Sequence, residues 1–193
     1  MTTITLINGH PDPDPGHFCA ALCDAYRAAA EKAGHTVHRA DIGSLEFGFL
    51  LNQREFEAPP PADIERLQAR IGGSDHLVLV YPLWLGTMPA RLKAFLEHLG
   101  RGNFFLDTGG DSSGWPAQKM KGKSARVVVT MGMPGLAYRL LFGGHSLKAL
   151  EKGILGIAGF RPVRDTIFGL VGSGAERRAR MLETMARLGA KAR

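Results

Sequence analysis

The chain has 193 residues, 45% of them hydrophobic and 22% charged, with a formal net charge of +6. That length and balance are those of one soluble globular domain spanning 1–193, able to bury about 70% of its unfolded surface. The uncharged run Leu77–Ala90 is shorter than the about 18 to 20 residues that span a bilayer, and the N-terminus lacks the basic region and apolar core of a secretory signal, so no membrane span and a cytoplasmic location are expected.

In chain order, Thr3–Asn8 reads as a short apolar strand, and Phe18–Ala33 as an Ala-rich helix stopped by Gly34. Cys19 and Cys23 lie one helical turn apart within it and read as small core residues; with His17 they make no closed metal set, and none is expected. Thr36–Asp41 is a second strand, and Pro59–Pro61 introduces a helix that runs through Ile71 and ends at Gly72-Gly73. Asp75–Tyr81 is a third strand. Pro89–Leu99 follows as a helix, with Leu92, Phe95, Leu96 and Leu99 at i, i+3, i+4, i+7 spacing. Asn103–Lys123 is long and rich in Gly, Ser and Asp, as functional loops are. Two pattern matches within it are set aside. Gly110–Gly114 fits G-x-S-x-G without a preceding strand, and Gly122-Lys123-Ser124 ends like a phosphate loop that lacks its first Gly. Ala125–Thr130 is the fourth strand, Ser146–Ala158 a helix with Leu147, Leu150, Ile154 and Ile157 on one side, and Pro162–Leu170 the fifth strand. A helix over 174–189 closes the chain, and its arginines (Arg177, Arg178, Arg180, Arg187) read as a solvated face; no nucleic-acid motif accompanies them.

Strands separated by helices imply a doubly wound α/β fold with a parallel sheet and helices on both faces. The first turn is Asn8-Gly9-His10-Pro11, with no G-x-G-x-x-G, which favours the flavodoxin-like five-strand order 2-1-3-4-5. Ligands of such sheets bind beyond the carboxyl ends of the strands. Three unusual segments fall there. Gly9–Phe18 opens a helix whose free amides suit a phosphate; Tyr81–Gly86 offers backbone amides and the Trp84 indole; Thr130–Gly135 is uncharged and Gly-rich, so a ligand can approach its backbone.

Tyr81-Pro-Leu-Trp-Leu-Gly-Thr-Met-Pro-Ala-Arg-Leu-Lys93 resembles the flavin-contact motif of the NAD(P)H:quinone oxidoreductases of the flavodoxin-like superfamily, the DT-diaphorase group. Gly9-His10-Pro11 with Phe18 resembles their first phosphate loop, and Thr130–Tyr138 their Thr-Thr-Gly-Gly…Tyr loop. The resemblance implies a flavin cofactor (FMN or FAD) with NAD(P)H as donor and a quinone-like acceptor. His10, His17 and Phe18 would contact its phosphate side; Pro82, Leu83, Trp84, Leu85 and Gly86 would line the isoalloxazine; Thr130, Met131, Gly132 and Met133 would pass along the other edge. Tyr138, paired with His145, would steady charge on the reduced flavin, as catalytic residues. A homodimer with the flavin at the subunit interface is implied, with Phe104, Phe105 and Trp115 roofing the site. The chain departs from the pattern in an Asp-Pro-Asp-Pro insertion (12–15), in His17 and Cys19 around Phe18, in Met131 and Met133, and in one extra residue between Tyr138 and His145. Some relatives of this kind are ancillary flavin-binding subunits that regulate a membrane transporter, which is the alternative implied. A flavodoxin-type electron carrier fits less well, because such carriers are acidic and this chain is basic.

Overall fold

A computed structural model describes residues 1–107 and 116–193, so Trp115 and the Gly110–Gly114 match lie outside the described residues. The strands are β1 (Thr3–Asn8), β2 (Thr36–Asp41), β3 (His76–Pro82), β4 (Leu106–Asp107), β5 (Ala117–Gln118), β6 (Ser124–Met131) and β7 (Val163–Gly169). The helices are α1 (Phe18–Lys32), α2 (Gln53–Glu57), α3 (Ala62–Gly73), α4 (Ala90–Leu99), α5 (Gly135–Leu141), α6 (His145–Lys148) and α7 (Ala175–Ala190), with a π-helical stretch, Ala149–Gly156, continuing α6.

Five strands form one parallel sheet in the order β2-β1-β3-β6-β7, which is the flavodoxin-like order expected; β4 and β5 form a separate antiparallel pair. Asn8, Val80, Val128 and Thr166 stand side by side across it. The central strands β3 and β6 are buried almost end to end, because helices cover both faces. Alternation along β3 divides the core: Leu77, Leu79 and Tyr81 pack with α3, α4 and the π-helical stretch, while Val78 and Val80 pack with α1 and α7. Cys19 and Cys23 belong to the second layer. There α1 and α7 approach so closely that a Cβ on Gly189 would stand 2.2 Å from the Tyr26 carbonyl oxygen.

Three differences from the sequence expectations have physical reasons. Ser146–Ala158 is not one α-helix: it opens as α6 at His145 and widens to a π-helix at Ala149. Gly153 and Gly156, each about 1 kcal/mol poorer than Ala in an α-helix, leave little to lose on widening. Second, α5 occupies a segment read as a loop; Leu136, Leu140 and Leu141 are exposed, so no core-facing stripe announces it. Third, α2 is five residues long, held by an Asn52 cap that accepts from Glu55 N. Among the described residues no helix is long and apolar enough to cross a membrane.

Candidate functional site

The carboxyl ends of β1, β3 and β6 bring the three predicted segments to one end of the sheet. After β1, Asn8 fixes the chain direction: its Oδ1 accepts from His10 N at 3.2 Å while its Nδ2 donates to Asp41 Oδ1 at 2.8 Å. His10 is buried, and its ring stacks on His17 with centroids 3.8 Å apart. The Trp84 indole meets His10 edge-on at 5.9 Å, which links the first segment to the second. His17 Nε2 lies 2.9 Å from the Asp12 carboxylate. That contact, with a hydrogen bond from Asp14 N, holds the Asp12 carboxyl below the usual range. Burial pushes His10 below the ordinary imidazole value, against the raising effect of its hydrogen bond with the Asp12 backbone. Asp14 Oδ1 accepts from Gly16 N at 2.8 Å and so shapes the entry to α1. The helix has no acidic residue in its first turn and no side-chain cap, which leaves its positive end open to an anion. Phe18 is half-buried at that end.

After β3, Leu83 N donates to Thr130 O at 2.7 Å and ties the second segment to the third. Trp84 and Thr87 then pair in both directions (2.8 and 3.0 Å), closing a turn whose central residues Leu85 and Gly86 have φ of 46° and 80°. Two positive φ angles are the mark of a tight two-residue hairpin turn. Glycine adopts them freely, whereas Leu85 bears about 1 kcal/mol or more of strain there. Its side chain is fully exposed and that of Trp84 half so. The turn thus holds a flat apolar surface out from the protein. Pro82 and Leu83 are half-buried beneath it.

After β6, Thr130 is buried with Oγ1 3.5 Å from Cys19 Sγ, a contact that reaches α1. Met131 O and Met133 O accept from Val171 N and Leu170 N at 3.2 and 3.1 Å, which spends two carbonyls on the β7 side. Gly132 between them is exposed, and nothing stands within 4 Å of where its Cβ would be. An open α1 terminus, an exposed apolar turn and an unobstructed glycine loop, all at one end of the sheet, fit a planar cofactor with a phosphate tail.

Tyr138 is buried behind this edge. Its hydroxyl lies 2.7 Å from Ser146 Oγ and accepts from Leu147 N at 3.3 Å. His145 is exposed, its ring lying over Gly143, and among the described residues no hydrogen bond joins it to Tyr138. Ser146 as the hydrogen-bond partner of the Tyr138 hydroxyl is not foreseen from sequence; its adjacency to His145 is the only signal. A cavity of about 730 Å³ opens beside the turn, walled by Trp84, Leu85, Met88 and Pro89 on one side and by Leu150, Gly153 and Ile154 of the π-helical stretch on the other.

The two buried tyrosines of this region make a paired prediction. Tyr138→Phe leaves the Leu147 N–H and Ser146 hydroxyl without their partner and should cost about 1–2 kcal/mol. Tyr81 has a buried hydroxyl with no partner among the described residues, so Tyr81→Phe should be neutral or stabilising by up to about 1 kcal/mol. Urea denaturation of both variants checks the contrast; equal costs would remove the distinction.

Known proteins resemble the chain along most of its length. A Haemophilus influenzae protein called an uncharacterised NAD(P)H oxidoreductase is 26% identical over 170 residues, covering 85% of this chain and 82% of its own. The structure of an NAD(P)H:quinone oxidoreductase from Methanothermobacter marburgensis superposes with a TM-score of 0.79 at 21% identity, covering 100% of this chain and 99% of that one. An FMN-dependent NADH-azoreductase from Bacillus anthracis, solved with FMN, gives 0.74 at 12% identity, covering 100% and 99%. At those identities the two structures show a common fold. The family model of the flavodoxin-like fold matches residues 2–192, and the chain belongs to that family.

Proposed function

We propose that this protein is a flavin-dependent NAD(P)H oxidoreductase delivering two electrons to a quinone or a similar planar acceptor. The observation that carries this reading is the convergence of the open α1 terminus, the Trp84–Thr87 turn and the Thr130–Met133 edge at one end of the sheet. The names of the Haemophilus influenzae, Methanothermobacter marburgensis and Bacillus anthracis proteins support it. A bound flavin would supply the hydride chemistry, with NAD(P)H as the donor of the two electrons that the acceptor receives.

The chain's own residues bind and orient. The α1 amides offer donors and the positive end of the helix to a phosphate, and the His10 and His17 rings add hydrogen-bonding groups; Phe18 covers that end. Pro82, Leu83, Trp84, Leu85 and Gly86 present backbone and apolar surface to the ring, and Thr130, Met131, Gly132 and Met133 border its far edge. Tyr138, held by Ser146 and Leu147, stands ready as a donor behind that edge, while exposed His145 is free to turn toward substrate. The apolar cavity beside Trp84 excludes water from a planar acceptor and is of ordinary ligand-pocket size. Leu136, Leu140, Leu141 and Phe142 are exposed together and give a second copy an apolar face, in keeping with a homodimer; the cytoplasm is the compartment proposed.

Purified protein incubated with FMN or FAD should retain a yellow cofactor, bleach with NADPH or NADH, and recolour on adding a benzoquinone. Protein that takes up neither flavin refutes the reading. Flavin that binds but is reduced by neither nucleotide favours the ancillary-subunit alternative.

A further inference from the structure

The cavity beside the Trp84–Thr87 turn has one half-buried polar side chain in its wall, that of Ser146. Ser146, Ala149, Leu150, Gly153 and Ile154 recur at three- and four-residue spacing along α6 and the π-helical stretch, so one stripe of that element faces the opening. Across from it stand the Trp84 indole, Met88 and Pro89. Thr87 and Lys93, the other polar aliphatic side chains of the lining, are exposed, and Lys93 is paired with Glu97.

The hydrogen bonds behind Ser146 fix the direction of its protons. Tyr138 is 1% exposed, and its hydroxyl has two partners among the described residues: Leu147 N, which donates to it at 3.3 Å, and Ser146 Oγ at 2.7 Å. A backbone N–H can only donate, so the tyrosine proton has a single acceptor to go to, Ser146 Oγ. Ser146 then accepts from Tyr138 and keeps its own proton, for which the described residues supply no other partner. Tyr138 thus donates into the site through Ser146. The relay from Leu147 N–H to Tyr138 O–H to Ser146 O–H is polarised in one direction, and each bond strengthens the next. It ends at the cavity wall.

We infer that Ser146 is a catalytic residue whose hydroxyl donates a hydrogen bond to a carbonyl oxygen of the acceptor, and so selects planar acceptors that carry a carbonyl. The inference rests on the proposed role of the cavity as the acceptor's place. A quinone that takes up a hydride equivalent, as NAD(P)H becomes NAD(P)+, carries negative charge on one oxygen until a proton from water completes the hydroquinone. A donor at that oxygen favours the charged form over the neutral one, because hydrogen bonds to ions are about twice as strong as those between neutral groups.

Infrared spectroscopy of duroquinone bound to the purified protein, without nucleotide, tests the assignment apart from turnover. One carbonyl band should move to lower wavenumber on binding, stay there in Ser146→Thr and return toward its free position in Ser146→Ala. With flavin and NAD(P)H supplied, the ratio of duroquinone to ferricyanide reduction rates should fall about tenfold in Ser146→Ala, the worth of one hydrogen bond, and recover in Ser146→Thr. An unshifted band in the wild type, or a band or rate ratio that Ser146→Ala leaves unmoved, overturns the inference. Protein that binds no flavin refutes the oxidoreductase reading and the catalytic role with it, while the band still decides whether Ser146 is a carbonyl donor. Ser146→Val against Ser146→Thr, equal in shape, decides the matter should Ser146→Ala fail to fold.

Discussion

Acidification from pH 6.5 to pH 4 is expected to remove about 3 kcal/mol of stability through His76 alone. Burial drives this imidazole from 6.5 down to about 4, and the charges of Arg126 and Arg164 add to the effect against a hydrogen bond at Ser124. The unfolded chain takes up a proton near pH 6.5, whereas the folded chain does so only near pH 4. Between those values the unfolded state binds more protons, so stability is complete above pH 6.5 and falls as the pH drops toward 4. At 2% exposure, solvent screens little of this. Ordinary carboxylates add their own losses below about pH 5, so the readout is the difference between wild type and His76→Gln in urea denaturation across the range. The wild type should lose up to about 1.4 kcal/mol more per pH unit than the variant. Parallel profiles would mean that the ring is solvated in the folded state.

How far such features are legible in sequence varies with what determines them. The strands β1 and β2 were readable to the residue, because Gly9 follows directly on Thr3–Asn8 and Gly34 stops the helix just ahead of Thr36–Asp41. The continuous apolar runs of β3 and β6 likewise announced central strands, and from these the position of the ligand-facing loops followed. The partner of Tyr138 was not legible. Gly143 and Gly144, with φ of 61° and 60°, turn the chain between α5 and α6, and that turn brings the Ser146 hydroxyl to the tyrosine while His145 swings outward. One residue of spacing, decided by two glycine torsions, carries no periodic signal. The same holds for the burial of Arg126 on β6 and His76 on β3. Alternation places Arg126 and His76 toward α1 and α7, but their burial depends on how closely α7 descends on Tyr26, a tertiary matter set at Gly189.

Gly169→Ala is expected to lower stability by about 3 kcal/mol and to weaken flavin binding at least about tenfold. A Cβ at this position, the end of β7, would stand 2.4 Å from Gly135 N, 2.7 Å from Met133 O and 3.1 Å from the Pro134 carbonyl carbon. All three are backbone atoms, so no side chain can rotate away to make room. The loop itself must move, and with it the bonds from Leu170 N to Met133 O and from Val171 N to Met131 O that hold the proposed flavin edge against β7. Gly132→Ala separates position from surface on the same loop. Nothing lies within 4 Å of its added methyl, so the fold should keep its stability within about 0.5 kcal/mol. The methyl would instead project from an exposed residue toward the ring and weaken flavin binding without unfolding anything. Paired urea curves and flavin titrations distinguish the two. Loss of flavin affinity in both variants, with loss of stability only in Gly169→Ala, identifies Thr130–Met133 as a cofactor surface whose placement depends on the missing side chain of Gly169. Unaltered flavin affinity in Gly132→Ala removes this loop from the binding surface, whatever Gly169→Ala does to the fold.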